Sequence, residues 1–208
     1  MADPDIRAIF FDFGGVLLKT FDGVDHPGIE QRFGLEPKSL RLMVYRDSRY
    51  GDFQVGKCTY DEWVASIRAA MDAQIPYKAA DVLRAFFESD HLLNPDMVAL
   101  VRSLHGNYTL GIISNTVPGM EDRMQERIPD LIGLFEVRVG SGDLGLAKPD
   151  PAIFHHAMDA AGVAPAQSVF TDDYNKHADA ARALGMHAFH FTGYGQFVQD
   201  LRSIGVQV

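Results

Sequence analysis

The sequence predicts an α/β fold: a doubly wound parallel sheet of Rossmann-like type, with a helical segment inserted near its start. Three observations carry this. Continuous apolar runs at 6–11, 109–113 and 168–171 lack the alternation of half-exposed strands, as expected where both faces are covered. From residue 96 onward such runs alternate with helical patterns, which implies right-handed βαβ crossovers. Between about 20 and 95 the apolar spacing is helical throughout, and no strand-like run interrupts it.

The first strand, at 6–11, runs straight into Asp12-Phe13-Gly14-Gly15. An acid at the C-terminal end of a buried strand lies where open α/β sheets place their ligands. The two glycines let the backbone turn sharply and approach closely. In the helical stretch, Leu40, Met43 and Val44 share one face, and Trp63, Ile67, Ala70 and Met71 share another. Val82, Leu83, Phe86 and Phe87 lie on one side of a third helix over 79–89. Two glycines, Gly51 and Gly56, separate the first two, and Thr59 with Glu62 has the spacing of a capping box.

A helix over 97–104 then leads to the strand at 109–113, which ends in Ser114-Asn115. A helix begins at 120–126, and a short strand follows at 135–139. The helix at 151–161 is closed by Gly162, and the strand at 168–171 ends in Asp172-Asp173. A helix over 178–184 is closed by Gly185, a strand follows at 187–191, and the last helix starts at 196–201.

The 208 residues suffice for one sizeable domain with a smaller insertion. A formal net charge of −9 argues against nucleic acid or an anionic membrane surface as partner. A small anionic substrate stays compatible, because a few local cations and backbone amides offset a global charge. Cys58 is the single cysteine, so no internal disulfide forms, and it reads as a small half-buried side chain. The start, Met1-Ala2-Asp3-Pro4-Asp5, is acidic and the apolar run after it is too short for a signal peptide. No stretch has the length of a membrane span, and a cytoplasmic location is expected.

Four strands, or the loops after them, carry a distinctive polar group: Asp12, Ser114-Asn115, Lys148 and Asp172-Asp173. Taken singly each has a plain explanation as a helix cap, a turn or a surface loop. In a parallel sheet, however, all strand C-termini point to one edge, so the four converge on one crevice. The chemistry suits a phosphoryl group. Asp12 is a candidate nucleophile forming an aspartyl-phosphate. Asp12 and Asp173, with a backbone carbonyl, offer hard oxygen ligands for Mg²⁺. Ser114, nearby amides and Lys148 would bind the non-bridging oxygens.

The segments Phe11-Asp12-Phe13-Gly14-Gly15-Val16-Leu17, Ile113-Ser114-Asn115, Ala147-Lys148-Pro149 and Phe170-Thr171-Asp172-Asp173 resemble, in order, the four motifs of the haloacid dehalogenase-like hydrolase superfamily. Val55-Gly56-Lys57 followed by Tyr60-Asp61-Glu62-Trp63 resembles the small helical cap inserted after the first motif in one subgroup. The resemblance implies a core of residues 1–18 and 96–208 and a cap of residues 19–95. It implies a nucleophile at Asp12, and substrate contacts at Ser114, Asn115 and Lys148. It further implies magnesium on Asp12, the Gly14 carbonyl and Asp173, with Asp172 orienting the metal waters or Lys148.

Phosphatases of this superfamily usually carry a second Asp two residues after the nucleophile as acid and base. Here that position is Gly14. A positioned acid is worth about 10²–10⁴ in rate, so slow turnover or a good leaving group is expected, as in sugar 1-phosphates and acyl phosphates. Asp22 and His26 are candidate substitutes. The expected activity is hydrolysis of a small phosphorylated metabolite such as a sugar phosphate, by a monomer or homodimer. The alternatives are a 2-haloacid dehalogenase, which also lacks the second Asp, and a non-catalytic phosphate-binding module. Adjacent Asp172 and Asp173 would repel a carboxylate substrate unless a cation lies between them, which disfavours the dehalogenase. Arg46, Arg49, Tyr50 and Trp63 are candidate cap contacts, read more simply as salt bridges and packing. His177 reads as either a helix cap or a contact to the site.

Overall fold

The computed structural model describes residues 5–20, 24–89 and 92–208, except for the side chains of residues 126 and 127. The acidic start over 1–4 and the candidate Asp22 lie outside the described residues. Strand β1 (Ala8–Phe11) enters a wide turn at Phe13–Leu17. Helices α1 (His26–Phe33) and α2 (Ser39–Arg41) follow, the latter continuing as a wider turn at Leu42–Arg46. Then come α3 (Tyr50–Phe53), α4 (Tyr60–Gln74), α5 (Ala79–Phe87) and α6 (Pro95–Leu104). The chain proceeds through β2 (Thr109–Ser114), α7 (Met120–Arg127), α8 (Pro129–Ile132), β3 (Val137–Gly140), α9 (Ser141–Leu144) and α10 (Pro151–Ala161). It ends with β4 (Ser168–Asp172), α11 (Asn175–Ala183), β5 (His187–His190) and α12 (Tyr194–Ser203).

The five strands are parallel, in the order β3-β2-β1-β4-β5. The first strand in sequence is therefore the centre of the sheet, and the strand order reverses across it. Its period of two divides the residues between both faces. Ile9 and Phe11 join Leu110, Ile112 and Val169 under α6 and α12, whose Leu104, Phe197 and Leu201 are buried there. Ala8 and Phe10 join Ile113 and Phe170 under α10 and α11, against Phe154, Ala157 and Ala178. A side chain on Gly111 would put its Cβ 2.5 Å from the Phe10 ring, so the Phe10 side of β2 requires glycine there.

The helices between α1 and α5 bury a core of their own. Leu40, Met43, Val44, Trp63, Ile67, Met71, Val82 and Phe86 are all in it, matching the faces expected from spacing. The capping box is formed: Glu62 N donates to Thr59 Oγ1 at 3.2 Å, and Thr59 N donates to Glu62 Oε2 at 2.8 Å. Helix α1 has no apolar stripe to announce it, since Ile29 and Glu30 are its buried residues. It is set instead by its ends: Asp25 accepts from Gly28 N at 3.1 Å, Pro27 starts it, and Gly34 closes it at φ +60°. Buried Glu30 then accepts from Lys38 N (2.9 Å) and Leu40 N (3.0 Å), tying α1 to the start of α2.

Helices α3, α8 and α9 have four residues each, too few to show a period. Strand β3 begins at Val137, because Phe135 N still bonds back to Ile132 at the end of α8. Cys58 is buried, with Sγ 3.8 Å from the Arg49 carbonyl. No helix among the described residues is long and apolar enough to cross a membrane.

Candidate active site

Asp12 is placed by the sheet. Its N–H donates to the Thr171 carbonyl at 2.9 Å, continuing the β1–β4 ladder one residue past β1. The next rung on β4 is Asp172, so the parallel register brings the two acids together. The Asp12 carboxylate is fixed through Oδ1, which accepts from Phe13 N at 2.7 Å and Lys148 Nζ at 2.9 Å. The chain then leaves through an extended Gly14 and a left-handed Gly15 at φ +73°. A Cβ on Gly15 would sit 2.5 Å from Asp173 Cγ, so this glycine answers both a torsional and a steric demand. Gly15→Ala is expected to destabilise the fold by about 1–3 kcal/mol, a downward shift of roughly 2–10 °C in Tm read by thermal melting.

Lys148 reaches the crevice from the loop before α10, and its side chain is fully buried. Its ammonium bridges Asp12 and Asp172, the latter at 2.6 Å, and lies 5.3 Å from the Phe170 ring centroid. The loop is held by Asn115, whose Nδ2 donates to the Lys148 carbonyl (2.9 Å) and whose Oδ1 accepts from Lys148 N (2.7 Å). The Asn115 amide thus positions Lys148, and Asn115 also lines the crevice. Ser114, buried at the end of β2, lines the same cavity as Asp12, Gly14, Lys148 and Asp173. That cavity measures about 810 Å³. His26 also lines it, as do Lys19, Lys38, Arg41 and Lys176, so several of the chain's cations gather around the acids.

Two further residues belong to the arrangement. His177, in the first turn of α11, has Nδ1 3.0 Å from Asp172 Oδ2, which settles it as a contact to the site. Ser141 is fully buried; its Oγ accepts from Thr116 N (2.9 Å) and lies 2.9 Å from the carbonyls of Gln54 and Thr116. The Gln54 side chain in turn donates to the Asn115 carbonyl at 3.3 Å. The sequence signals for these were thin: a histidine one turn past the acid pair, and a serine between Gly140 and Gly142. Of the cap candidates, Tyr50 lines the cavity, while Arg46 is exposed and Arg49 pairs with Asp52 (3.5 Å) and Glu62 (3.6 Å).

The electrostatics are those of an anion cluster short of positive charge. Burial raises the Asp12 carboxyl to about 7; Lys148 opposes this, and Asp172 adds to it. Burial and the charge of Asp172 also raise Asp173. Burial alone would lower the Lys148 ammonium, but Asp12 and Asp172 outweigh it and hold it above the usual lysine value. Burial pushes Asp172 upward, yet His177 and Lys148 prevail and keep it below the ordinary range. One oxygen each of Asp12, Asp172 and Asp173 lie within 4.8 Å of one another. This all-oxygen donor set fits a hard divalent cation, and the raised carboxyls of Asp12 and Asp173 are what such a cation would relieve.

Fold and site together define an α/β enzyme that gathers buried acids and a lysine at the carboxyl edge of its central strands. The model of the haloacid dehalogenase-like hydrolases matches residues 6–185, and the chain belongs to that family. It is 24% identical to the sesquiterpene phosphatase astK of Aspergillus oryzae, over 95% of this chain and 96% of the relative. It is 26% identical to a phosphatase of Mycobacterium tuberculosis, over 96% and 95% of the two chains. The crystal structure of an L-2-haloacid dehalogenase superposes with a TM-score of 0.65 at 24% identity, over 90% of this chain and 87% of that one, a likeness of fold alone.

Proposed function

We propose that the chain is a Mg²⁺-dependent phosphatase of a small phosphorylated compound, working through an aspartyl-phosphate on Asp12. Residues 1–18 and 96–208 would form its core and residues 19–95 its cap. One observation carries the reading: three carboxylates converge within 4.8 Å while Lys148 bridges two of them. Asp12, Asp173 and the Gly14 carbonyl would hold the ion, which supplies neutralisation of the phosphate charge when bound.

The Asp12 carboxylate attacks phosphorus as the ester oxygen departs, and water then cleaves the acyl phosphate to release phosphate and restore Asp12. Lys148 and Ser114 hold the non-bridging oxygens. Lys19, Lys38, Arg41 and Lys176 around the cavity draw a phosphate dianion into a protein whose net charge is −9. Gly14 brings no proton to the leaving oxygen, so substrates with weakly basic leaving groups are favoured. His26, the other candidate acid, lines the same cavity. The two phosphatase relatives support the reaction class.

A phosphate-ester panel assayed with Mg²⁺ and with EDTA tests this. Hydrolysis that stops with EDTA supports it, and no hydrolysis of any ester sinks it. Halide release from 2-haloacids without metal would favour the dehalogenase, against which the adjacent Asp172 and Asp173 stand. Mg²⁺-dependent binding of a phosphate analogue without turnover would make the chain a binding module.

Mg²⁺ should also stabilise the fold in a pH-dependent way. The folded Asp12 carboxyl titrates about 7, above its ordinary 3.8, so below 7 it holds a proton that a metal must displace. The Mg²⁺-induced rise in Tm is therefore expected to be larger at pH 8 than at pH 6. It should nearly vanish in Asp173→Asn. A rise that is equal at both pH values would contradict the assignment of Asp12 as ligand.

A further inference from the structure

A second cavity, of about 300 Å³, opens beside the acidic one, and its character is different. From the helical insertion it is lined by Trp63, Phe86 and Phe87, and from the core by Met120, Met124 and Ile128. The aromatic side is already ordered: Phe86 and Phe87 meet edge-on at 5.2 Å, and Trp63 and Phe87 do so at 6.1 Å. Arg123, the one charged side chain among the described residues lining it, is turned to the backbone and donates to the Val117 carbonyl at 2.7 Å and to that of Pro118. Tyr45, Tyr50, Tyr60, Ser114, Asn115 and Thr116 add uncharged polar lining, so the cavity offers a largely aromatic surface with its one cation already engaged.

The two cavities share a wall. Gly14, Val24, Tyr50, Ser114 and Asn115 line both. On the phosphatase reading, a group attached to phosphorus at Asp12 would extend past Gly14, which lines both cavities and brings no side chain between them. The same residue deprives the leaving group of an acid. These two facts about one position make a joint demand on the substrate: its organic part is apolar, and it departs without protonation. A phenol meets both, with a pKa near 10 as in tyrosine, against almost 16 for water. A cavity of about 150 Å³ lined by aliphatic and aromatic side chains accepts benzene, so this one suits about two rings.

On the reading that Asp12 carries a phosphatase site, we propose that the substrate is an aryl phosphate monoester whose apolar leaving group occupies the Trp63–Phe87–Met124 cavity. This departs from the sugar 1-phosphates that the motif pattern suggested, since the side of the cavity formed by Phe86, Phe87, Met120 and Met124 offers a sugar's hydroxyls no partner.

Phenyl phosphate and 4-biphenylyl phosphate test it, because they share leaving-group chemistry and differ by one ring. Wild-type kcat/KM is expected to be about tenfold or more higher for the biphenylyl ester, from the added apolar area buried. Equal or lower kcat/KM would overturn the proposal. Met124→Trp, which fills the cavity, should bring the ratio towards one; an unchanged ratio would count against the assignment. Trp63 is the chain's single tryptophan, so its emission reports occupancy apart from turnover. In Asp12→Asn with Mg²⁺, 4-biphenylyl phosphate should change that emission saturably, and glycerol phosphate should not. If acetyl phosphate is hydrolysed while biphenylyl phosphate is neither preferred nor seen by Trp63, the substrate class falls and the phosphatase stands. If no phosphate is hydrolysed but Trp63 still responds, the reaction falls and the cavity's ligand class stands.

Discussion

Asp12→Asn is expected to lower turnover of an activated phosphate by about 10⁴-fold or more, since an amide cannot form the covalent intermediate. The same change should not weaken the fold. Asparagine has the same shape and keeps an oxygen to accept from Phe13 N and Lys148 Nζ, which now bind Oδ1 at 2.7 and 2.9 Å. In EDTA at pH 8 the variant is expected to melt higher than wild type. The sign follows from the raised carboxyl: a folded value about 7 against an ordinary 3.8 means that ionised Asp12 is disfavoured by folding. Its stabilising contribution exists below 3.8, declines as pH rises, and is gone above 7. Removing the charge removes that loss. Activity loss with unchanged or raised Tm marks a chemical role; activity loss with a lowered Tm would mean that the residue is structural.

Lys148→Met is expected to be the most destabilising single change at the site, by about 3–5 kcal/mol at neutral pH in EDTA. It strands Asp12, which is nearly fully buried, and leaves Asp172, whose side chain is fully buried, with His177 as its remaining side-chain partner. The Asp12 carboxyl, which burial already raises, then loses the ammonium that opposes this and titrates higher still in the folded state. Stability should accordingly recover as pH falls from 8 towards 5, visible as a rising Tm. A variant that melts within a degree or two of wild type at pH 8 would show that the ammonium is not what holds these acids together. Turnover should be lost as well, because the charge faces the phosphate position.

Most of the sheet could be read directly from the chain, and for a physical reason. Strands buried on both faces are apolar without interruption, so their ends stand out, and the polar residue at each end marks the active edge. Asp12, Ser114, Lys148 and Asp172–Asp173 were found this way, and the parallel ladders bring them into one crevice. Asn115 lines the same crevice, and its amide also bonds at both ends to the Lys148 backbone. Long-range pairing of this kind leaves no local pattern. The same holds for His177 on Asp172 and for Ser141 between Gln54 and Thr116, each a contact across the fold. Helix α1 escaped because a helix stabilised by its caps and one buried glutamate has no stripe. The apolar cavity was legible only in halves. Trp63, Phe86 and Phe87 share helical faces of the insertion, with Trp63 also a candidate contact, and Met120 and Met124 fall in a helix starting at 120–126; nothing in either pattern says that the two faces leave space between them.

The backbone of Asp12 is a rung of the central ladder, bonded to Thr171 one step beyond strands that are themselves enclosed on both sides. Amides so placed exchange with solvent only when the whole domain opens. The backbone under the carboxylate is therefore expected to be among the slowest to exchange, which amide hydrogen exchange would check. The aromatic wall beside it comes from helices that have a separate, smaller core and can fluctuate without disturbing the sheet. If Asp12 is the nucleophile and the aromatic cavity takes the leaving group, chemistry and part of the substrate choice rest on separate cores. On the proposed reading, substitutions in the insertion would alter which leaving group is admitted while Asp12 stays where the sheet puts it.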